Sequence, residues 1–198
     1  LVAGAGDGEE VVVVAGTGSI AYGRDASGRA ARAVGWGYLL GDEGGGFWIG
    51  RAAVTAAVRQ FDGRGPATLL TAMILEHLGL STPTELIHEI YYRDLPRPTI
   101  AGIATLVQGA MEQRDAIAVE ILTRASTELA GAAGSVISRL GMRGHAFPTV
   151  LSGGIFRGTP WLVDDVTRRL SEIAPRTSVR TLDIEPANGA VRLAIAAA

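Results

Sequence analysis

Hydrophobic and polar positions along the chain follow two different periods. Short runs of β-branched and small apolar residues come first and predict three strands, at residues 11–15, 19–24 and 30–34, with Ser27-Gly28 in the turn between the last two. A helical period follows and predicts helices at about residues 45–60, 67–78, 84–91, 100–107 and 116–140. The chain closes with a strand at 149–152, a helix at 161–173, a strand at 178–182 and a terminal helix after Pro186.

This order of elements predicts an α/β domain. Strands that follow the opening hairpin are separated by helices, and such long connections favour parallel pairing. We therefore expect one mixed sheet with helices on both faces. The 198 residues, 47% of them hydrophobic, suit a single core, and no repeat or linker divides them.

The first glycine-rich string follows the first predicted strand. Gly16-Thr17-Gly18-Ser19 begins where the apolar run of residues 11–14 ends. Glycine reaches positive φ at little cost and has no Cβ, so the backbone amides can approach an anion, and Thr17 would add a hydroxyl donor. The same residues also fit a simple β-hairpin turn, and the pattern alone leaves both interpretations open.

A second glycine-rich string precedes the first predicted helix. Gly35-Trp36-Gly37 leads to Gly41-Asp42-Glu43-Gly44, and the helical period begins just after it. Asp42 fits two roles here, a carboxylate that caps the helix or an acceptor for sugar hydroxyls. Trp36 offers an apolar ring face against which a pyranose can lie.

These strings resemble the BadF/BadG/BcrA/BcrD ATPase family. The likeness rests on residues 15–19 and 35–44 and on two later motifs. Val150-Leu151-Ser152-Gly153-Gly154 resembles the adenosine motif of the actin-like ATPase superfamily, and residues 185–190 resemble the family's closing signature. The segment between Phe61 and Arg114 matches loosely.

The resemblance implies a ribonuclease-H-like fold, that of one lobe in a two-lobed actin-like ATPase or sugar kinase. The first lobe of such kinases carries a glycine-rich phosphate loop and the aspartate that accepts the proton of the sugar hydroxyl. Neither is found in this sequence. We therefore expect residues 1–198 to be the second lobe, with the first lobe absent and with no catalytic residue or metal ligand of its own.

The implied activity is phosphorylation of an amino sugar, such as N-acetylglucosamine or glucosamine, with ATP and Mg²⁺. Matched position by position, the ATP-binding residues are Thr17, Gly18, Gly102, Gly153 and Gly154. The matching substrate-binding residues are Ser19, Gly35, Trp36 and Asp42. Gly153-Gly154 also fits a turn that starts a helix, since Pro160 and Trp161 open the next one. Ile20 stands where animal relatives have a polar residue, and this difference leaves the identity of the sugar undecided.

Composition removes several mechanisms. All 18 basic residues are arginines, and cysteine is absent. Without lysine there is no P-loop lysine or Schiff base, and without cysteine there is no thiol nucleophile or thiolate cluster ligand. The net charge of -2 gives no support for nucleic acid, and no apolar run predicts a membrane span. His77, His88 and His145 lack the spacing of metal ligands.

Two further functions stay open beside the kinase. One is an ATPase that drives a conformational change in a redox partner, and the other is a non-catalytic module for binding or dimerisation. We expect a cytoplasmic protein, and Ala-rich helix faces together with Trp48 suit a homodimer. Solvated or capping roles are expected for Asp62, Asp94, Asp115, Asp164 and Asp165. Asp183 and Glu185 fit two roles, contact with the nucleotide cleft or capping of the terminal helix, and the second is favoured.

Overall fold

The computed structural model describes residues 8–93 and 95–182, and five strands in it form one mixed sheet. The strands are β1 (Glu10–Ala15), β2 (Ser19–Arg24), β3 (Ala30–Val34), β4 (Pro148–Ser152) and β5 (Ser178–Thr181). Their order across the sheet is β3-β2-β1-β4-β5. β2 is antiparallel to β1 and β3, whereas β4 is parallel to β1 and β5. The predicted α/β class and mixed sheet are confirmed.

The helices pack mainly around the two longest among them. Their bounds are α1 (Gly46–Phe61), α2 (Leu70–Leu78), α3 (Glu85–Ile87), α4 (Arg97–Gly102), α5 (Ala104–Glu112), α6 (Ala116–Arg139), α7 (Gly154–Gly158) and α8 (Pro160–Ile173). A π-helical segment, His88–Tyr92, continues α3. α6 contacts β1, β2 and β3 as well as α1, α5 and α8. No helix of the described residues has the length and hydropathy to cross a membrane.

The apolar pattern explains the position of α6. The side chains of Ile121, Ala125, Leu129, Ala133 and Val136 are spaced at helical intervals and are all buried. Small residues let α8 approach the same helix, since a Cβ placed on Gly134 would lie 3.2 Å from Ile173 Cδ1. α6 therefore links the sheet to α8, as its periodicity predicts.

Four elements differ from the sequence prediction. The helix expected at residues 100–107 is divided at Ile103 into α4 and α5. It also begins earlier, at Arg97, with a proline in its first turn, where the missing N–H costs nothing. The helix expected at 84–91 becomes π-helical after Ile87. α2 begins later than predicted, and α7 has no predicted counterpart. The terminal helix and the acids Asp94, Asp183 and Glu185 lie outside the described residues.

Asp115 has the predicted capping role. Its carboxylate accepts hydrogen bonds from the Ile117 and Ala118 amides at the start of α6, and from the Leu69 amide before α2 at 2.7 Å. Burial alone would raise the pKa of Asp115, but these hydrogen bonds hold it below its ordinary value of 3.8. One carboxylate thus joins two helices.

We expect Asp115→Ala to lower the free energy of unfolding by about 2–3 kcal/mol, because a cap is lost and the Leu69 amide loses its acceptor. Because the pKa of Asp115 is lower in the folded state than in the unfolded state, the carboxylate stabilises the fold most above about pH 4. The destabilisation caused by the substitution is therefore largest there and decreases as the pH falls through the folded-state pKa. Urea unfolding at several pH values measures it. Asp62→Ala, at an exposed acid paired with Arg64, is the control and should cost less than about 0.5 kcal/mol.

Candidate nucleotide and sugar site

The turn between β1 and β2 presents bare backbone amides. The Gly16 amide donates to the Gly18 carbonyl at 2.9 Å, which closes the turn. Within the described part of the chain, the Thr17 and Gly18 amides have no acceptor, and Thr17 is exposed. The turn is therefore a hairpin and also has the unpaired donors that an anion needs. Phosphate binding by Thr17 and Gly18 stays a prediction.

The first turn of α1 is attached to the other side of this turn. The Gly46 amide donates to the Gly16 carbonyl at 2.8 Å, and the Phe47 amide donates to the Thr17 carbonyl at 2.9 Å. These are amides that a helix cannot satisfy internally. The β1–β2 turn thus caps α1, and the positive end of the helix dipole lies beside the predicted phosphate site.

Asp42 lies against the same turn. A Cβ placed on Gly18 would contact the Asp42 carboxylate, with Asp42 Cγ only 2.8 Å away. The prediction that Asp42 caps α1 is wrong, because the capping residue is Gly45, no side chain caps the helix, and its first turn contains no acid. The physical reason is a left-handed backbone at Asp42, φ 60°, which directs the carboxylate to the β1–β2 turn. The sugar-binding role is left as the prediction for this residue.

The other predicted sugar ligands lie on the same loop, residues 34–45, or next to it. The Ser19 hydroxyl donates to the Glu43 carbonyl at 2.7 Å and is 5% exposed, so in this structure it holds the loop in place. Trp36 is 64% exposed, and the Arg32 guanidinium lies 4.6 Å from the centre of its ring. Gly35 packs on Ile20, since a Cβ there would lie 3.0 Å from Ile20 Cδ1. One face of the Trp36 ring is thus covered by a cation, and the ring as a whole stays accessible.

Gly153 brings the end of β4 to the same place. Its φ is 111°, and a Cβ would overlap the Ala15 backbone, with the Ala15 carbonyl carbon 2.6 Å away. Only glycine fits this close approach of two neighbouring strands at their carboxyl ends. Gly154 starts a helix, but this helix is the unpredicted α7 and not the expected one at Pro160 and Trp161. Nucleotide contact at these glycines stays a prediction.

A cavity of about 340 Å³ opens beside Gly153. It lies at the carboxyl ends of β4 and β5, where open α/β sheets bind their ligands. Its lining comes from both strand ends and from α7 and α8, namely Leu151, Ser152, Gly153, Phe156, Arg157, Pro160, Val163, Asp164, Thr181 and Leu182. The volume and the mixed polar and apolar lining suit a small organic ligand such as a nucleoside.

Gly102 ends α4, which packs against the start of α1. A Cβ placed on Gly46 would lie 3.2 Å from Ala101 Cβ and 3.1 Å from Ile155 Cδ1 of α7. Gly46 is therefore where α4, α7 and the β1–β2 turn meet. Gly102 itself has open space on its Cβ side, which leaves room for a ligand next to this junction.

The strongly shifted carboxylates lie in other parts of the molecule. The Ser27 hydroxyl donates to Asp25 at 2.7 Å and, with Arg29, lowers the pKa of Asp25 to about 2. Burial would raise the pKa of Asp165, but hydrogen bonds from Arg169 and Arg168 lower it to about 2. The prediction that Asp165 is solvated or caps a helix is wrong, because its carboxylate is 12% exposed and forms ion pairs on α8.

The described residues show no cluster of three His, Cys, Asp or Glu side chains that would hold a metal ion. Two of the three histidines lie next to one acid each. His145 Nδ1 is 2.9 Å from Glu9 Oε1, and His88 Nδ1 is 3.9 Å from Glu89 Oε1.

Sequence reasoning missed several contributors to the site. Gly45 and Gly46 allow the start of α1 to touch the β1–β2 turn, since a Cβ on Gly45 would lie 2.7 Å from the Gly18 carbonyl carbon. The run of three glycines after Glu43 was the available signal. No sequence pattern marks Arg32 or Val34. Arg32 contributes through its contact with the Trp36 ring, and Val34 through its left-handed backbone, φ 62°.

The sheet and its helices form a ribonuclease-H-like lobe of the actin-like ATPase type, the class of the sugar kinases that it resembles in structure. The chain belongs to the BadF/BadG/BcrA/BcrD ATPase family, whose family model matches residues 1–194. The predicted resemblance is confirmed.

Three proteins of known sequence or structure are similar to this chain. The chain is 35% identical over 186 residues to an N-acetylmuramic acid/N-acetylglucosamine kinase of Clostridium acetobutylicum. The aligned segment covers 94% of this chain and 61% of the relative. It is 34% identical over 189 residues to the N-acetyl-D-glucosamine kinase of Dictyostelium discoideum, and the aligned segment covers 93% of this chain and 59% of that relative. A solved structure, that of a candidate N-acetylglucosamine kinase of Chromobacterium violaceum, matches with a TM-score of 0.75 at 25% identity. The match covers 93% of this chain and 59% of that protein. The chain thus spans about three fifths of the length of these relatives.

Proposed function

We propose that the chain is the second lobe of an ATP-dependent amino-sugar kinase and supplies its nucleotide site and part of its sugar site. The observation that carries this proposal is the convergence of separate glycine motifs. The β1–β2 turn, the start of α1 and Gly153 meet at the carboxyl ends of β1 and β4, and Asp42 touches the turn at Gly18. The names of the relatives, all amino-sugar kinases, support the same activity.

The geometry suggests a division of roles. The free Thr17 and Gly18 amides would hold the phosphates, and Gly153, Gly154 and the adjacent cavity would border the adenosine, with Gly102 nearby. Asp42, Trp36 and Gly35 would face the sugar, with Ser19 holding their loop through Glu43. Because Asp42 is in contact with the turn, a hydroxyl bound to its carboxylate would lie close to the terminal phosphate. Such proximity is the main requirement of phosphoryl transfer.

The reaction transfers the terminal phosphoryl group of ATP in line. A sugar hydroxyl oxygen forms the new bond to phosphorus while the bond to the ADP oxygen breaks, and the hydroxyl proton passes to a base that we assign to the first lobe. Mg²⁺ would neutralise the phosphate charge when bound. Asp42 contacts the β1–β2 turn, and most of the oxygens around the ion would come from the phosphates, water and the first lobe. A cytoplasmic kinase, active as a monomer or a homodimer, fits this proposal.

The test uses the full-length protein with ATP and Mg²⁺. Sugar-dependent ADP release is measured with N-acetylglucosamine, glucosamine and N-acetylmuramic acid, and the phosphorylated product is identified by ³¹P NMR. Turnover with at least one of them, well above the sugar-free rate, is the expected result. ATP hydrolysis that no amino sugar stimulates would contradict the proposal and favour a conformational ATPase.

Asp42→Asn separates the sugar-binding role from a structural one. Asparagine adopts the left-handed backbone of this position readily, so the melting temperature should change by less than about 2 °C. The variant loses the charge that strengthens hydrogen bonds from sugar hydroxyls, and we expect the sugar Kd to rise about tenfold. Sugar titration and thermal unfolding of the same full-length variant measure both quantities.

Glu43→Gln is the matched control for this prediction. Glu43 is the neighbouring acid of the same loop, and the contact that it makes to Ser19 uses its backbone carbonyl, which the substitution keeps. Its sugar Kd should stay within about twofold of the wild-type value. Equal effects of both substitutions would show that Asp42 acts only through the overall charge of the loop.

A further inference from the structure

A second cavity, the α1 groove, lies between α1 and the segment formed by α3 and the π-helix. It has a volume of about 630 Å³ and a mostly apolar lining that includes Leu39, Phe47, Val54, Ile87, Ile90 and Tyr91. Leu39 is 76% exposed and Tyr91 is 78% exposed. Large apolar side chains with this exposure, grouped in one concave surface, mark a binding site more often than an ordinary protein surface.

The α1 groove is lined in part by the loop that carries two of the candidate sugar ligands. Leu39 and Tyr38 belong to the loop that carries Trp36 and Asp42, and the Tyr38 ring packs edge-on against the Phe47 ring with centroids 5.2 Å apart. The Phe47 amide donates to the Thr17 carbonyl of the β1–β2 turn. Phe47 therefore borders both the phosphate turn and the groove.

Charge along the groove is positive. Arg51, Arg59 and Arg64 line its α1 side. Arg64 is paired with Asp62 at 2.7 Å, whereas Arg51 has no acidic partner in the described ranges. A cationic group would be repelled here, and a neutral or anionic apolar group would not.

We propose that the acceptor is an amino sugar that carries an apolar substituent without positive charge, such as an alkyl or acyl chain, and that this substituent binds in the α1 groove. The inference rests on the proposed kinase function and adds the chemical class of its acceptor. A free monosaccharide at Asp42 would leave Leu39, Ile87 and Tyr91 exposed, whereas an apolar substituent that reaches the groove would cover them. The continuity of the groove with the Asp42 loop favours this occupant over a second copy of the chain.

The experiment compares acceptors with the full-length protein. The probes are N-acetylglucosamine, its hexyl β-glycoside, its 6-aminohexyl β-glycoside and N-hexanoylglucosamine, and kcat/KM is measured for each by ADP release. At least one of the two uncharged hexyl probes should exceed N-acetylglucosamine by tenfold or more. The aminohexyl probe should lose most of that gain, because it has nearly the same length but ends in a cation.

Two neighbouring tyrosines provide a matched pair of variants. Tyr91 lines the groove, and Tyr92, equally exposed at 77%, does not line it and packs beside His88. Tyr91→Ser should reduce the preference for the hexyl probe over N-acetylglucosamine at least fivefold, whereas Tyr92→Ser should keep the wild-type preference. Light scattering on both variants records their oligomeric state.

Several outcomes would overturn the inference. If N-acetylglucosamine is phosphorylated but neither uncharged hexyl probe is preferred, the groove does not bind the acceptor. If Tyr91→Ser changes the oligomeric state and leaves the acceptor preference intact, the groove is a contact between copies of the chain. If no amino sugar is phosphorylated at all, the proposed function itself fails, and the comparison of probes distinguishes that failure from the others.

Discussion

Gly153→Ala is expected to lower the free energy of unfolding by at least about 3 kcal/mol, or to prevent folding. The residue has a φ of 111°, which L side chains rarely adopt, and its Cβ would overlap the Ala15 backbone. Ala15 is fully buried at the end of the central strand β1, paired with β2 on one side and adjacent to β4 on the other. The Ala15 backbone cannot move away without loss of its pairing with Ser19. Urea unfolding followed by circular dichroism measures the change.

Gly154→Ala is the control for this substitution. It is the next residue, starts α7, and its nearest contact for an added Cβ is Arg157 Nη2 at 4.0 Å. Alanine is a better helix former than glycine, so the free energy of unfolding should stay within about 1 kcal/mol of the wild-type value. Similar losses at both positions would mean that the close approach of Gly153 to β1 is not what limits stability.

Gly18→Ala is expected to weaken nucleotide binding by the full-length protein at least tenfold. The added Cβ would meet the Asp42 carboxylate and crowd the Gly18 amide, which is one of the two free donors of the turn. Sugar affinity should fall as well, because Asp42 must move away from the turn. Calorimetric titration with a non-hydrolysable ATP analogue and then with N-acetylglucosamine measures both affinities.

Gly16→Ala provides the comparison within the same turn. A Cβ on Gly16 would have no atom within 4 Å, and its carbonyl would still accept from Gly46. Nucleotide affinity should change less than about threefold. Unchanged nucleotide affinity in a folded Gly18→Ala variant would show that the turn serves only as a hairpin that caps α1.

Much of the fold was predictable because its patterns are local. The valine run of β1, the β2–β3 hairpin around Gly28 and the helical face of α6 each follow from the period of apolar residues, and the structure confirms them. Two of the glycine strings follow β1 and β4, at the carboxyl ends of these strands. Parallel pairing of β1 and β4 places Gly18 and Gly153 there together.

The rest depended on tertiary packing that no local pattern records. Asp42 looks like a helix cap in the sequence, and only the left-handed turn of its backbone directs it to Gly18. The docking of α1 on the β1–β2 turn joins residues about thirty positions apart. The π-helical turn after Ile87 arises where apolar side chains of a short helix line the α1 groove, and propensity does not distinguish it from an ordinary helix.

The two hydrogen bonds between α1 and the β1–β2 turn have an electrical consequence. Across a trans peptide the C=O and the following N–H point in opposite directions, so a carbonyl fixed by the helix fixes the amide on its far side. The Gly16 and Thr17 carbonyls accept from α1, and the Thr17 and Gly18 amides must therefore point away from it. The dipoles of these two peptide units are therefore aligned with the dipole of α1 and extend it beyond the first turn of the helix. An arriving phosphate would meet donors whose direction is already set, and this orientation comes from the backbone, which most side-chain substitutions leave unchanged.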